Sequence, residues 1–302
     1  MNLRRLYDNW NQVRAATGTP GSRQRRAWRD VLARRPAIAY WGDSWFSTPL
    51  YPNLHWNSFV RIDGMAIRLG GPGLTAARMC TPRACRNNAA RLVSREFDLL
   101  CVSVGGNDCL GPRLARVFEG AAAMDAPAAF ARVLEGGVLE RVRARYRILL
   151  EAMSAVGGDF RVVGHGYAPP AVDAIGRRGA VDIKNLGLVA PLVAHVGPWL
   201  WPAVRAVFED DRAEAARFAR LLLVNGFRDR VLAPSRAEFS GLFSFADFSS
   251  LDDTVDDGFW YDEIHPTAEG FATLATGFNA MLRAALPPRK RDAVGRPMRA
   301  LP

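Results

Sequence analysis

A serine becomes a nucleophile beside a general base, and the base works when a third group holds its tautomer. The chain offers four histidines as bases: His55, His165, His195 and His265. His265 stands in "WYDEIHPTAEGF", with Asp262 three residues before it and Pro266 directly after it. A short loop with that spacing can curl until the carboxylate reaches Nδ1, leaving Nε2 to take a serine proton. Proline just past the histidine suits the first turn of a final helix. The matching serine is Ser44 in "PAIAYWGDSWFSTPL", where the apolar run Ala37 to Trp41 stops at Gly42 and hands on Asp43 and Ser44. His165 is the rival base, but no carboxylate lies near it in sequence; it reads as a substrate contact or a structural hydrogen bonder. His195 sits in an apolar segment where it packs or lines a pocket. His55 lies in a loop and defaults to a surface or structural role.

Elements must bring these groups together. Strands are expected at Ala37–Trp41, Met65–Leu69, Phe97–Val104, Phe160–Gly164 and Leu242–Phe245. Several are continuous apolar runs, which suits parallel strands covered on both faces. Helical patterns alternate with them: Cys85–Arg95, Ala128–Val156 with a break at Gly136-Gly137, Arg212–Leu232 and Thr267–Leu286. Residues 1–17 and 22–35 also read as helices, closed by Pro36. The alternation predicts an α/β fold with a doubly wound sheet. Ligands of such sheets bind beyond the carboxyl ends of the strands. Just past successive strands stand Gly42-Asp43-Ser44, Gly70-Gly71-Pro72-Gly73, Gly105-Gly106-Asn107-Asp108 and His165-Gly166-Tyr167. A serine, backbone amides, an amide side chain and a histidine thus converge on one sheet edge.

Each of these short stretches has an ordinary reading. Gly-Asp-Ser after a strand is a common turn or helix cap. Gly-Gly-Asn-Asp suits a turn that needs positive φ, and acids before a helix favour its dipole. Their order and their places at strand ends carry more than any one of them. Together they resemble the SGNH hydrolases, the GDSL-type esterases and lipases. The first block of that family is matched by Gly42-Asp43-Ser44, with Trp45 where leucine is usual. The second is matched by Gly73 with Thr75 in "GGPGLTAAR", and Gly71 competes for the glycine. The third is matched by Gly105-Gly106-Asn107-Asp108 and the last by Asp262-Glu263-Ile264-His265. "HGY" at 165–167 and "GPWL" at 197–200 resemble a bacterial subgroup of that family.

The resemblance spans about residues 36–285. It implies a flavodoxin-like three-layer α/β/α domain with a central, mostly parallel five-stranded sheet. It further implies catalysis by Ser44, His265 and Asp262, with the backbone N–H groups of Ser44 and Gly73 and the Asn107 amide meeting the oxyanion. Asp43 and Asp108 are expected to hold their loops by hydrogen bonds. With Trp45, Gly71, His165, Tyr167 and Trp199 they make up the candidate substrate contacts. The expected division is a helical extension over 1–35, a hydrolase domain over 36–286 with an apolar insertion at about 170–210, and a basic, disordered tail over 287–302.

Composition narrows the alternatives. The chain has 302 residues, 49% of them hydrophobic, and a formal net charge of +10 carried almost wholly by arginine, since Lys184 and Lys290 are the only lysines. The arginines spread along presumed helices, as in "RARYR" 143–147, and the one compact cluster is "RKR" 289–291. Dispersed charge suits a solvated surface better than a nucleic-acid groove, so no nucleic-acid partner is expected. Cys80, Cys85, Cys101 and Cys109 show no zinc pattern; a Cys80–Cys85 disulfide stays open, and the thiols read as reduced. The N-terminus carries charges without a following apolar core of a signal peptide, so a cytoplasmic location is expected.

Leu186–Val204 is long and apolar enough to raise a membrane span, but Pro191, Pro198 and Pro202 argue for a broken apolar element over a core or a site. Its part around Val189–Val204 is a candidate wall for an acyl chain, and contact with a membrane surface is the lesser alternative. A calcium loop starting at Asp253 fails, because its third and twelfth positions are Val255 and Ile264. "LGGPGL" lacks the lysine of a phosphate loop. No metal or cofactor is expected. The sequence therefore reads as a serine acylhydrolase of a small-molecule, lipid or glycan ester, with an acetylated sugar, a lipid and a thioester as the open substrate classes. A non-catalytic acyl- or carbohydrate-binding protein on the same scaffold, or an acyltransferase, is the alternative.

Overall fold

The computed structural model describes residues 33–47, 52–94, 96–179, 197–251 and 258–297. Five strands form one sheet: β1 (Ala37–Gly42), β2 (Met65–Gly70), β3 (Leu99–Ser103), β4 (Arg161–His165) and β5 (Phe243–Ala246). Their order is β2-β1-β3-β4-β5 and every neighbouring pair is parallel. That is the flavodoxin-like doubly wound order, with helices on both faces. All residues of β1 and β3 are buried, which explains why they lack polar alternation. β2 is an edge strand, and its Arg68 is exposed.

The chain changes direction across the sheet between β1 and β3, so the crevice of this fold opens there, beyond Gly42 and Ser103. The two ends pair tightly. The Asp43 N–H donates to Ser103 O at 3.0 Å, and a Cβ on Gly42 would come within 2.7 Å of both Ser103 Cβ and the Phe46 ring. Only a glycine lets the chain leave β1 so close to β3. At the end of β3, Gly105 adopts φ +110° and turns the chain into a tight helical turn, Gly106–Cys109.

The helices bury one face each. Helix Ala268–Ala285 packs Phe271, Leu274, Ala275, Phe278 and Leu282 inward, the spacing of a single apolar stripe. Thr267 caps it, accepting from the Gly270 N–H at 3.1 Å. Helix Pro82–Ser94 starts three residues earlier than the apolar periodicity predicts, since Pro82 fits a first turn. The expected break at Gly136-Gly137 is present between helices Ala126–Glu135 and Val138–Ala155, where Gly137 takes φ +63°.

The segment expected as one regular helix over Arg212–Leu232 is α-helical only over Arg212–Ala219. It then widens to i→i+5 turns over Arg220–Gly226 and Arg228–Leu232, and continues as helix Ala233–Glu238. His55 lies in helix Leu54–Phe59 rather than a loop; it is buried against Tyr40, ring centroids 4.5 Å apart, and burial pushes its pKa down to about 3. The four cysteines are buried free thiols.

The expected disordered tail is ordered over its described part. Residues 287–297 include a tight turn, Pro288–Ala293, and Val294 bridges Ile62. Lys290 of the basic cluster is buried, its Nζ 2.7 Å from both oxygens of Asp98, whose Oδ2 also accepts from the Ala37 N–H at 2.8 Å. The tail thus ties the starts of β1 and β3 together. Removing one member of a buried pair leaves the other charge without compensation. Lys290→Met is expected to lower the unfolding free energy by about 3 kcal/mol, with part of it recovered in Lys290→Met/Asp98→Asn. Urea unfolding checks this; an unchanged midpoint in the single variant contradicts it.

Residues 1–32, most of the expected helical extension, and 180–196, with His195 and much of the expected apolar insertion, lie outside the described residues. Among the described residues no helix is long and apolar enough to cross a membrane.

Candidate active site

Ser44 opens a one-turn helix, Ser44–Ser47, directly after β1. Its Oγ lies 2.7 Å from His265 Nε2. On the other side of the ring, His265 Nδ1 lies 2.9 Å from Asp262 Oδ2 and 3.0 Å from Oδ1. A carboxylate only accepts, so Nδ1 carries the proton and Nε2 accepts from the serine hydroxyl. Asp262 Oδ1 also accepts the N–H groups of Ile264 and His265, at 2.9 and 2.8 Å. Asp262 is fully buried, His265 nearly so, and Ser44 only half-buried. The hydroxyl is therefore reachable while its partners are shielded from water.

A closed loop explains why Asp262 and His265 meet. Trp260 bridges Pro266, Tyr261 N–H donates to His265 O at 2.9 Å, and Thr267 N–H donates to Phe259 O at 2.8 Å. The loop ends on the Thr267 cap, so the final helix carries the histidine. Its second anchor is Glu263, a buried carboxylate that accepts four backbone N–H groups: Gly176 at 2.8 Å, Leu200 at 2.7 Å, Trp201 at 3.0 Å and Trp199. Burial pushes the Glu263 pKa up, and these four donors pull against it. The segments around Gly176 and Trp199 are thereby tied to the residue between Asp262 and Ile264.

Asp43 faces the sheet, not the hydroxyl. Its Oδ1 accepts from Ser103 Oγ at 2.8 Å and from the Trp45 N–H at 3.2 Å. Burial is the largest influence on it and raises its pKa to about 6, against the pull of Ser103, Trp45 and His265. An acid with its folded pKa raised binds its proton more tightly folded than unfolded. Above pH 6 that burial costs stability, and the cost is relieved as pH falls toward 4. Asp43→Asn keeps an acceptor for Ser103 and Trp45 without the charge. Its stability relative to the wild type is expected to be greatest above pH 6 and to shrink by about 2 kcal/mol on acidification to pH 4. Parallel stability profiles of the two proteins across that range would contradict the assignment.

Potential oxyanion donors lie around Ser44 in the chain path. The Ser44 N–H, first in its helical turn, has no acceptor among the described residues. The Gly71 N–H is already used, donating to Gly42 O at 3.1 Å, whereas the Gly73 N–H has no acceptor among the described residues. Of the two competing glycines, only Gly73 keeps a free donor. Asn107 Nδ2 donates to Leu74 O at 3.1 Å and lies 3.4 Å from Asp43 Oδ2, so the amide is oriented by the loop that carries Gly73.

Ser44 borders a cavity of about 20 Å³, room for one water or a methyl group. Trp45, Asn107, Leu110, Tyr167, Leu223 and Trp260 are among the residues that wall it. Leu223 comes from the widened turns of the 212–238 helix. Of the candidate substrate contacts, Asp43, Trp45 and Tyr167 line this cavity; Gly71, Asp108, His165 and Trp199 do not.

His165 lies behind the wall. It stacks on Trp45 with centroids 4.9 Å apart and planes 13° apart, and its Nδ1 donates to Gly166 O at 2.8 Å. Burial pushes its pKa down to about 4. It is a neutral ring that fixes Trp45, which removes it as the rival base. Asp108 turns the other way and takes the Ala76 N–H at 2.7 Å.

Sequence reading overlooked Glu263, Ser103 and Trp260. Ser103 alone had a signal, as the residue that a parallel β1–β3 pair places beside Gly42. Nothing in "DEIH" marks Glu263 as an anchor for two distant segments.

No protein-family model matches the chain, and no curated protein matches its sequence. Among solved structures, the lipase Lip_vut3 from a goat rumen metagenome is 13% identical with a TM-score of 0.44, covering 83% of this chain and 97% of that one. Est24, a carbohydrate acetylesterase from Sinorhizobium meliloti, is 11% identical with a TM-score of 0.42, covering 83% and 99%. An aryl esterase of M. smegmatis is 14% identical with a TM-score of 0.39, covering 83% and 100%. These likenesses are weak, and the chemistry of the site stands on its own hydrogen bonds.

Proposed function

We propose that the protein is a serine ester hydrolase of the SGNH type. The observation that carries this reading is the continuous chain of hydrogen bonds from Ser44 Oγ through His265 to a fully buried Asp262, at the carboxyl edge where this fold opens. His265 takes the Ser44 proton as Oγ bonds to the acyl carbon. Asp262 holds the ring and stabilises the imidazolium. The proton then passes to the departing alkoxide as the carbon–oxygen bond breaks, leaving an acyl-enzyme. Water, deprotonated by His265, releases the acid and restores Ser44. In this reading the oxyanion is met by the Ser44 and Gly73 N–H groups and by the Asn107 amide, which gives up its long 3.4 Å bond to Asp43 Oδ2 to do so; members of such a set typically contribute a factor of ~10²–10³ each in turnover.

The small cavity beside Ser44 favours a short acyl group. With p-nitrophenyl esters of graded length, kcat/KM is expected to be highest for acetate and to fall at least ~10-fold by hexanoate, since overfilling a packed wall costs about 1–3 kcal/mol. A rise with length would refute the small acyl site. Failure of the folded protein to hydrolyse any of these esters would leave two readings, a narrow natural substrate and the binding-protein alternative.

A further inference from the structure

Helix Val138–Ala155 carries arginines of two kinds. Arg143 and Arg147 reach Glu238, at 3.8 and 3.0 Å, and Arg147 also reaches Glu151 at 3.0 Å. Arg141 and Arg145, one turn apart, have no carboxylate within ion-pair distance among the described residues. They border a groove of about 990 Å³ to which Arg113, Arg116 and Arg132 also contribute. None of these five forms an ion pair among the described residues, whereas Arg177, Arg205, Arg228 and Arg283 elsewhere each pair with an aspartate. Arg116, Arg132 and Arg141 each spend one N–H on a backbone carbonyl, of Pro112, Val117 and Gly136, and keep the rest of the fork. Two acids line the groove, Glu135 and Asp108; Asp108 accepts the Ala76 N–H, and burial raises its pKa while the charges of Arg113 and Arg145 pull against that. Charges that looked dispersed along the sequence, on three helices, therefore gather around one groove.

The groove adjoins the candidate active site through one short turn. Gly106–Cys109 separates them: Asn107 lines the cavity at Ser44, and the next residue, Asp108, lines the groove. Ala77, four residues beyond Gly73, stands on the groove wall as well. With five arginines against two acids in its lining, the cleft carries a net positive charge and concentrates anions. Guanidinium forks match phosphate oxygens in pairs, which a lone surface charge does not. The volume suits a small ligand.

We propose that this arginine groove binds a phosphate carried on the alcohol side of the ester, so that the substrate is a phosphorylated ester whose acyl carbon lies at Ser44. The identity of the reaction rests on the hydrolase reading above; the anion site rests on the arginines alone. Hydrolysis adds water across the acyl ester, giving the carboxylic acid and the free hydroxyl of the alcohol, and the phosphate stays on that alcohol intact.

The test compares 1-acetylglycerol 3-phosphate with 1-acetylglycerol. The phosphorylated ester is expected to have a KM at least ~10-fold lower, with the advantage shrinking as salt rises. Arg141→Gln/Arg145→Gln, and separately the exposed Arg113→Gln, should bring the ratio of the two KM values toward one while kcat for the phosphorylated ester holds. Glycerol 3-phosphate should bind the Ser44→Ala protein in calorimetry and lose that binding in the arginine variants. This arm needs no turnover, so binding that persists in a protein without esterase activity keeps the site and sinks only the reaction. Sedimentation with phosphatidylglycerol but not phosphatidylcholine vesicles, lost in the arginine variants, would keep the phosphate site and place the phosphate on a lipid. Equal KM values with no glycerol 3-phosphate binding overturn the proposal, as does tighter binding of a single-stranded oligonucleotide than of any phosphorylated small molecule.

Discussion

Ser44→Ala is expected to cut ester hydrolysis by a factor of ~10⁶ in kcat, the scale seen when a serine nucleophile is removed from a working triad. Its folding should be untouched. Among the described residues the Ser44 side chain makes one hydrogen bond, to His265 Nε2, and the half-buried hydroxyl supports no packing layer. A urea unfolding midpoint equal to that of the wild type is therefore part of the prediction. His265→Ala should lose a comparable factor, and the double variant little more than either single, because the two residues act as one unit. Independent, additive losses would argue that His265 serves Ser44 only structurally. Full activity in folded Ser44→Ala would remove the serine from the chemistry altogether.

Glu263→Ala is expected to be the most damaging substitution for stability among the residues of the site. Four backbone N–H groups, of Gly176, Trp199, Leu200 and Trp201, lose their common acceptor. Buried donors left unpaired cost about 1–3 kcal/mol each. Water entering the vacated space recovers part of that, so a loss of about 4 kcal/mol is expected. Activity should fall too, because Asp262 and His265 flank the residue whose anchor is gone. Glu263→Gln keeps one acceptor oxygen and nearly the same shape, and should lie between the wild type and alanine in both measurements. Urea unfolding together with ester hydrolysis checks this. An alanine variant as stable as the wild type would mean that the four N–H groups find other acceptors at no cost.

The two substitutions show which kinds of information a sequence carries. The strands were legible because their runs, "AIAYW" and "LLCV" among them, are apolar throughout, as burial on both faces demands. Ser44, Asn107 and His265 were legible because each closely follows a strand or precedes a capped helix. The parallel order then brings the carboxyl ends of β1 and β3 side by side. Glu263 was not, since its role depends on the return of two segments that start some sixty and ninety residues earlier in the chain. Lys290 was misread for a related reason. A Pro-rich basic tail has the composition of a solvated segment, and only the half-buried Asp98 just before β3 turns its lysine inward. The arginines of the groove are the same case. Their neighbours along each helix, Arg143 and Arg147, have carboxylate partners, and helical phase alone does not say which face will meet an acid.

His165 illustrates the converse. Its position after β4 is that of a ligand-facing residue, yet the aromatic cluster of Trp45, Tyr167 and Phe278 closes over it. The ring supports the site from behind, and Trp45 is the residue that meets the cavity.

The measurement that bears most directly on Ser44 as nucleophile is covalent capture. A fluorophosphonate phosphonylates an activated serine, losing fluoride, and the adduct is stable enough to map. Incubated with the wild-type protein, it is expected to add one phosphonyl group per chain by intact mass, on the peptide that contains Ser44. The rate should drop at least ~10³-fold in His265→Ala, which has lost the base. Labelling of a different residue, or equal labelling of the wild type and Ser44→Ala, would contradict the account.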